Sequence, residues 1–127
     1  MVKGQCACGA VAFEAPDVRE TVTFCHCGQC RQFSGHVWAS TVAPLSQVTF
    51  TRDQGLTWYQ SSDFARRGFC NRCGSSLFYH ITEKDKLGIA VGCLPDTVKL
   101  TPGKHIFVGN KPNYYDIADD APHLETY

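Results

Sequence analysis

Hydrophobic and polar residues alternate along most of this chain with a period of two. Alternation of this kind places every second side chain on one face, as in a half-buried antiparallel strand. The runs that predict strands are Val11 with Phe13, Val22 with Phe24, Val48 with Phe50, Leu56 with Trp58, Leu87 with Ile89 and Val91, and residues 105–108. No stretch has a helical period, although Gln29 to Phe33 could form one turn. The pattern predicts an all-β chain.

Turn-forming residues separate these runs, and no repeat or low-complexity linker interrupts them. A length of 127 residues is typical of one domain, so we predict a single domain over residues 1–127. No apolar run approaches membrane-spanning length, and no apolar signal segment follows Met1. The sequence therefore predicts a cytoplasmic protein that does not insert into a membrane.

Seven of the eight cysteines fall into three short groups. In a reducing compartment, Cys-x-x-Cys spacing indicates a metal site more often than a disulfide. The groups are Cys6 with Cys8, Cys25 with Cys27 and Cys30, and Cys70 with Cys73. Because a structural zinc ion takes four thiolates, the seven ligands divide into one complete site and one three-cysteine site. The sequence predicts two zinc ions per chain.

The first and last cysteine groups are predicted to share the structural zinc. In Cys6-x-Cys8, both side chains would leave the same face of an extended strand. In Cys70-x-x-Cys73, the chain would turn around the metal, with Gly74 in a conformation that bulkier residues rarely adopt. A zinc ion on these four thiolates would join the N-terminal strand to a mid-chain hairpin.

The middle group combines both spacings, so one short segment supplies three ligands to one face of a metal. Three protein ligands and one exchangeable position are typical of catalytic zinc. Cys93 is predicted to be a buried apolar residue, and it is also the best candidate to close the site as a fourth ligand. His26 is predicted to point away from the metal. The remaining histidines lack ligand spacing and are predicted to fill core or surface roles: His36, His80, His105 and His123.

An open three-cysteine zinc site favours reaction with a thiol. Three thiolates leave the site with a negative charge, which should make it a weak activator of water. Zinc is a good partner for a soft thiolate, and a coordinated thiol is deprotonated at neutral pH. We therefore expect an incoming thiol to add to a small carbonyl carbon. Candidate proton donors are His36, Tyr114 and Tyr115. Candidate partners for substrate carboxylates are Arg31 and Lys111.

Five segments of the chain carry a recognisable pattern: residues 4–11 (GQCACGAV), 25–31 (CHCGQCR), 69–75 (FCNRCGS), 104–108 (KHIFV) and 114–119 (YYDIAD). Together they resemble the glutathione-dependent formaldehyde-activating enzyme / centromere protein V family, over nearly the whole chain. The resemblance implies a β-tent of packed antiparallel sheets stapled by zinc. It also implies condensation of glutathione with formaldehyde to S-hydroxymethylglutathione, a carbon–sulfur lyase activity.

The resemblance assigns the cysteines in the same way as their spacing does. It implies that Cys6, Cys8, Cys70 and Cys73 hold the structural zinc. It implies that Cys25, Cys27 and Cys30 hold the catalytic zinc, with a small thiol such as glutathione and a small carbonyl as substrates.

Two other function classes are alternatives. If Cys93 closes the second site, the chain would be a zinc-stabilised module that binds a thiol or a protein without turnover. Zinc knuckles also bind nucleic acid, but here the loops do not concentrate basic and aromatic residues. The twelve basic and twelve acidic side chains balance, and bound thiolates would make the protein mildly acidic. Nucleic acid is therefore not a predicted partner.

Overall fold

The computed structural model describes residues 1–127, which form ten strands and one α-helix. The strands are β1 (Val2–Gln5), β2 (Ala12–Ala15), β3 (Thr21–Cys25), β4 (Trp38–Ala43), β5 (Thr49–Arg52), β6 (Leu56–Gln60), β7 (Ala65–Cys70), β8 (Ser76–Ile81), β9 (Leu87–Ala90) and β10 (Thr101–Ile106). The helix α1 (Gly28–Ser34) lies between β3 and β4. Short 3₁₀ helices cover Leu45–Gln47, Val91–Cys93 and Val108–Asn110. The all-β prediction is confirmed.

The strands form two sheets. A small sheet has the order β1-β2-β5, and a seven-stranded sheet has the order β10-β3-β4-β9-β8-β7-β6. All neighbours are antiparallel except β10 and β3, which run parallel. The predicted antiparallel packing is therefore found throughout except at one edge, where the large sheet is mixed. The reason is that β9 and β10 run in the same direction, so the chain crosses back over the sheet between them. None of the helices is long and apolar enough to cross a membrane.

The main core lies between the two sheets and is built around Phe78 of β8. The Phe78 ring meets Phe13 of β2 at 5.4 Å and Phe50 of β5 at 5.6 Å, both edge to face. On its own sheet, Phe78 stacks with Trp58 at 6.0 Å. A smaller cluster of Cys25, Cys30, Trp38 and Ile106 lies apart from this core. The three-cysteine segment therefore has its own apolar support.

Four strands, β1, β4, β7 and β8, were not among the predicted alternating runs. In β8, both Leu77 and Phe78 are buried, because the register with β7 shifts at Gly68/Phe69 and leaves Leu77 without a partner. Such a bulge turns adjacent residues towards the same core and removes the period of two.

Two predicted strands also end earlier in the structure. Val91 begins a 3₁₀ helix instead of continuing β9. β10 ends at Ile106, because Phe107 takes a left-handed conformation with φ of 54°. Val108 accordingly begins a further 3₁₀ helix.

Helix α1 extends the predicted single turn by one residue at each end. The Cys27 side chain caps its N-terminus by accepting the Cys30 N–H at 3.3 Å. Gly35 ends the helix in the left-handed region with φ of 91°, and its N–H donates to the Arg31 carbonyl at 2.7 Å. A glycine at this position stops a helix with little strain. The cap holds the Cys27 sulfur against the first turn of α1, which carries Cys30.

Candidate functional site

The loops after β1 and β7 bring four cysteines together. The sulfur atoms of Cys6, Cys8, Cys70 and Cys73 all lie within 4.8 Å of one another. Cys6 and Cys70 are buried, whereas Cys8 and Cys73 are exposed. Four thiols gathered at this spacing fit a closed tetrahedral zinc site.

The two loops of this four-cysteine group turn in the same way. The Gly74 N–H donates to the Cys70 carbonyl at 2.8 Å, and the Gly9 N–H donates to the Cys6 carbonyl at 3.2 Å. Both glycines have φ near +80°. Cys6 and Cys8 were predicted to lie on one face of an extended strand, and this is wrong. β1 ends at Gln5, and a tight turn closed by Gly9 carries both thiols instead.

The loop environment favours the thiolate at Cys73 and Cys6. At Cys8 the Ala10 backbone lowers the pKa, but burial and the neighbouring cysteines outweigh it and raise the pKa to about 11. The Ser75 hydroxyl lies 3.1 Å from the Cys73 sulfur and, together with the Ser75 N–H, lowers the pKa of Cys73 to about 5. Burial opposes ionisation of Cys6, but the Val11 N–H, which donates to its sulfur at 3.3 Å, helps to bring its pKa below the usual value. Metal ligation requires this deprotonated form.

The second group consists of Cys25 at the end of β3, Cys27 at the helix cap and Cys30 in α1. Their sulfur atoms also lie within 4.8 Å of one another. Cys25 and Cys30 are each 6% exposed, and Cys27 is more accessible. A hydrogen bond from Cys25 lowers the pKa of Cys30 to about 6 against the effect of burial, and Arg67 adds to the shift. We call these residues the three-cysteine group.

Cys93 does not belong to the three-cysteine group. Its thiol donates to the Ala90 carbonyl at 3.0 Å, and it packs against the main core. Burial raises its pKa to about 12. Cys93 is therefore half-buried against the main core, where a fully buried apolar residue was predicted, and it does not supply a fourth thiol to the group.

An open cleft of about 1400 Å³ lies beside Cys93. Its lining includes Cys6 and Phe33 but none of the three-cysteine group. The cleft therefore borders the four-cysteine group.

A buried cation adjoins the three-cysteine group. Arg67 of β7 is 3% exposed, and its Nη2 atom lies 3.5 Å from the Cys30 sulfur. The expectation that the site activates water weakly rested on a net negative charge, and it did not count this guanidinium. The expectation that the site binds a thiol rather than activating water therefore rests on the match between zinc and a soft sulfur ligand.

A chain of hydrogen bonds leads away from the three-cysteine segment through His26. The Tyr115 hydroxyl lies 2.6 Å from His26 Nδ1, and His26 Nε2 lies 2.8 Å from His105 Nδ1. His105 Nε2 in turn lies 3.0 Å from both carboxylate oxygens of Asp119. His26 and His105 are 2% and 4% exposed. We call these four residues the relay.

The relay has one consistent arrangement of protons. The Ala121 N–H, and then His105, lower the pKa of Asp119, so its carboxylate is ionised and accepts from His105 Nε2–H. His105 Nδ1 then accepts from His26 Nε2–H, and His26 Nδ1 accepts from the Tyr115 hydroxyl. Burial, followed by the nearby His105, lowers the pKa of His26 to about 4, which keeps its ring neutral.

The candidate proton donors lie together. Tyr115 belongs to the relay, and the Tyr114 hydroxyl lies 2.7 Å from His36 Nδ1. The His36 ring packs edge to face on Tyr115 at 4.6 Å. Burial, followed by Tyr114, raises the pKa of Tyr115, so it keeps its proton at neutral pH.

Arg31 and Lys111 lie beside the relay, but each donates side-chain hydrogen bonds to backbone carbonyls. Arg31 Nε donates to the His26 carbonyl at 3.2 Å. Lys111 Nζ donates to the carbonyls of Pro112 and Tyr115 and lies 4.8 Å from the centre of the Tyr115 ring. These contacts hold the loop around Tyr115, and a role in substrate binding stays a prediction for both residues.

Sequence reasoning missed Arg67, His105 and Asp119 as parts of the site. The relay joins His26 to His105 across 79 positions, and Arg67 reaches Cys30 across 37. No local spacing signals contacts at such separations. His105, Asp119 and His123 also place ligand atoms within 4.8 Å of one another, and the hydrogen bonds from His105 to Asp119 account for two of these residues.

Comparisons with known proteins agree with this geometry. An uncharacterized lyase of Schizosaccharomyces pombe is 26% identical over 122 residues, which cover 92% of this chain and 85% of the relative. A crystal structure of a Rhodobacter sphaeroides protein matches with a TM-score of 0.62 and 28% identity, covering 75% of this chain and 89% of that one. The model of the glutathione-dependent formaldehyde-activating enzyme family matches residues 1–110, which include both cysteine groups. The chain belongs to the glutathione-dependent formaldehyde-activating enzyme family.

Proposed function

We propose that this protein is a zinc-dependent enzyme that adds a glutathione-like thiol to formaldehyde or to another small carbonyl compound. The observation that carries the proposal is the three-cysteine group, which has no fourth cysteine and lies next to a proton relay. The activity would be that of a carbon–sulfur lyase, and family membership and the lyase relative support this class.

The cysteines fit two zinc ions with different roles. Cys6, Cys8, Cys70 and Cys73 would hold a structural ion, because four thiolates close a tetrahedron. Cys25, Cys27 and Cys30 would hold the catalytic ion. When bound there, zinc would supply a soft Lewis acid that favours the deprotonated form of a substrate thiol.

The relay would carry the proton that the thiol releases. Tyr115 can accept a proton at its hydroxyl oxygen while it passes its own proton to His26 Nδ1. His26 would in turn pass its Nε2 proton to His105 Nδ1 and stay neutral, so the positive charge would lie on His105, where the Asp119 carboxylate stabilises it.

The same proton can return in the second half of the reaction. Attack of sulfur on the carbonyl carbon forms the C–S bond and moves the C=O π electrons onto oxygen. Tyr115 would then protonate that oxygen and take back its proton from His26. The S–H bond is broken, C–S and O–H bonds are formed, and no net proton is consumed.

Arg31 and Lys111 are proposed as contacts for substrate carboxylates at the rim of the site. A peptide-like thiol carries such groups. Lys111 lies over the Tyr115 ring, and Arg31 contacts the backbone of His26, the relay partner of Tyr115. Their backbone bonds leave further N–H donors on both side chains.

Cobalt substitution tests the proposal. Co²⁺ replaces zinc in the three-cysteine group, glutathione is titrated, and the sulfur-to-metal charge-transfer band is followed. An increase on titration is expected, because a further sulfur ligand joins the metal. Formaldehyde is then added, and the thiohemiacetal should form faster than in the uncatalysed control.

Two controls separate the alternatives. Cys27→Ser should abolish the glutathione-dependent band, whereas Cys93→Ser should leave it unchanged. A band that already reports four sulfurs before titration and weakens in Cys93→Ser would indicate a closed site and a binding module. Thiol binding without acceleration would contradict the proposed catalytic activity but not the proposed metal site.

A further inference from the structure

Arg67 is a buried cation without a carboxylate partner. Its guanidinium lies between two aromatic rings, 4.8 Å from the centre of Tyr79 and 5.4 Å from that of Phe33. The ion pairs in the structure are Lys3 with Glu14 and His105 with Asp119, so no acidic side chain balances Arg67. An isolated buried charge is strongly unfavourable, which means that a counter-charge must lie close by.

The polar contacts of Arg67 lead to the three-cysteine group. Its Nη2 atom donates to the Gln29 side-chain oxygen at 2.9 Å and approaches the Cys30 sulfur at 3.5 Å. The Nε and Nη1 atoms are inaccessible to solvent and have no hydrogen-bond partner. Unpaired buried donors are rare in folded proteins. The neighbouring thiolates are the groups that can balance this cation.

With Arg67 included, the formal charges of the site sum to zero. Three thiolates and one divalent metal leave one excess negative charge, and Arg67 adds one positive charge beside Cys30. If the protein supplied a fourth thiolate, the site would again have a net negative charge. The guanidinium therefore matches a centre with three protein thiolates and a divalent ion.

We propose that Arg67 is the built-in counter-ion of the three-cysteine metal centre. It raises the affinity of three thiolates for a divalent metal, and it allows a substrate thiolate to join them without accumulating a second negative charge. This inference rests on the proposed metal site and adds a residue that positions and neutralises it.

Arg66 provides a matched control in the same strand. Its guanidinium lies 3.9 Å from the centre of the Trp58 ring, and its Nε donates to His80 Nδ1 at 3.1 Å. Both arginines therefore pack on aromatic rings, but only Arg67 contacts a cysteine. Substitution of Arg66 removes a similar volume and charge from the other face of β7.

The test compares Arg67→Met, Arg67→Lys and Arg66→Met in purified protein. The apparent zinc affinity of the three-cysteine group is measured by competition with a chromophoric chelator. Arg67→Met should lose roughly 10–100-fold, the range typical for residues that support metal ligands. Arg67→Lys keeps the charge and should lose clearly less, and Arg66→Met should match wild type.

Cobalt spectra supply a readout beyond affinity. Without the cation, the cysteine sulfurs donate charge more readily, so the charge-transfer band of Arg67→Met should shift to longer wavelength. The metal in the four-cysteine group should stay bound in every variant and reports that the protein is folded. If Arg67→Met does not fold, the zinc affinities of Arg67→Lys and Arg66→Met are compared instead, and only Arg67→Lys should bind more weakly than wild type.

Three results would overturn the inference or its basis. Wild-type affinity in a folded Arg67→Met variant would show that the charge is not needed. Equal losses in Arg67→Lys and Arg67→Met would assign Arg67 a packing role. A wild-type protein that binds no metal at Cys25, Cys27 and Cys30 would instead contradict the proposed function.

Discussion

At the scale of single residues, Gly55 shows how closely the chain packs around the four-cysteine group. Its N–H lies 3.4 Å from the Ala10 carbonyl, and its own carbonyl accepts the Asn71 N–H at 2.8 Å. It thereby bridges both cysteine-bearing loops. A Cβ atom at this position would lie 2.8 Å from the Cys70 sulfur and 3.1 Å from the Ala10 Cβ. The contact leaves no room for a side chain.

We therefore expect Gly55→Ala to destabilise the fold by about 1–3 kcal/mol, the usual cost of overpacking a core. The four-cysteine group should also lose metal more readily. Gly92→Ala is the control, since a Cβ there meets nothing within 4 Å. It should change stability by less than about 0.5 kcal/mol. Denaturant unfolding and metal analysis measure both effects, and equal behaviour of the two variants would contradict the close contact.

Tyr115 is the residue whose hydroxyl begins the relay. Tyr115→Phe removes the bond to His26 and should reduce the rate of thiol addition by roughly 10²-fold or more, the range typical of acid–base groups. Folding and metal content should remain at wild-type levels. Tyr114→Phe removes the neighbouring hydroxyl, which bonds His36, and should have a smaller effect. Steady-state kinetics with both variants decides, and an unchanged rate in Tyr115→Phe would remove the relay from the reaction.

The sequence predicted which cysteines lie together, but it did not predict the charged residues near them. Short local spacing predicted which cysteines come together, as with Cys25 and Cys30. Arg67 and Asp119 act through contacts made only after the sheet has formed, so neither charge could be distinguished in the sequence from an ordinary surface charge.

At the scale of elements, the four-cysteine group connects parts of the chain that are distant in sequence. Cys8 and Cys70 lie 62 positions apart, with their sulfurs at 3.8 Å. One loop belongs to the small sheet and the other to the large sheet. The three-cysteine group instead lies within a single β3–α1 segment. A metal in the first group therefore constrains far more of the unfolded chain than one in the second.

This difference predicts unequal effects of two matched substitutions. Cys73→Ser should lower the melting temperature by more than about 10 °C, equivalent to about 3 kcal/mol in a protein of this size. Cys27→Ser should remove one metal ion with a clearly smaller shift. Thermal unfolding and metal content of both variants provide the measurement. Equal collapse would refute the division into structural and catalytic groups.

Strand prediction succeeded where side chains alternate and failed where they do not. The runs around Phe24 and Trp58 lie in strands with one half-buried face, as expected. β8 buries adjacent residues at its bulge, and the segment carrying Cys6 and Cys8 forms a turn. Both departures depend on partner strands that the local pattern does not reveal.

At the scale of the whole molecule, the two cysteine groups predict the metal content. Native mass spectrometry of the reduced protein should find two zinc ions per chain. Removal of both ions by a chelator should destabilise the fold, because binding to the folded state adds directly to its stability. A single ion at full occupancy, or a chain with paired disulfides, would contradict the two-site arrangement.

The C-terminal segment carries Tyr115 and Asp119 of the relay, and it also covers an edge of the large sheet. The His105 N–H donates to the Pro122 carbonyl at 2.8 Å, and the Leu124 N–H donates to the His105 carbonyl at 2.9 Å. β10 is the outermost strand on this side, so these bonds occupy groups that would otherwise be free to pair with another chain.

Protection against self-association therefore depends on the same segment as the relay. A variant truncated after Ala118 should form concentration-dependent aggregates in sedimentation velocity while it keeps both cysteine groups. A monodisperse truncated protein, with the same sedimentation behaviour as the full chain, would contradict this role. Loss of the nine residues after Ala118 would therefore expose this sheet edge and remove Asp119 from the end of the relay in a single cut.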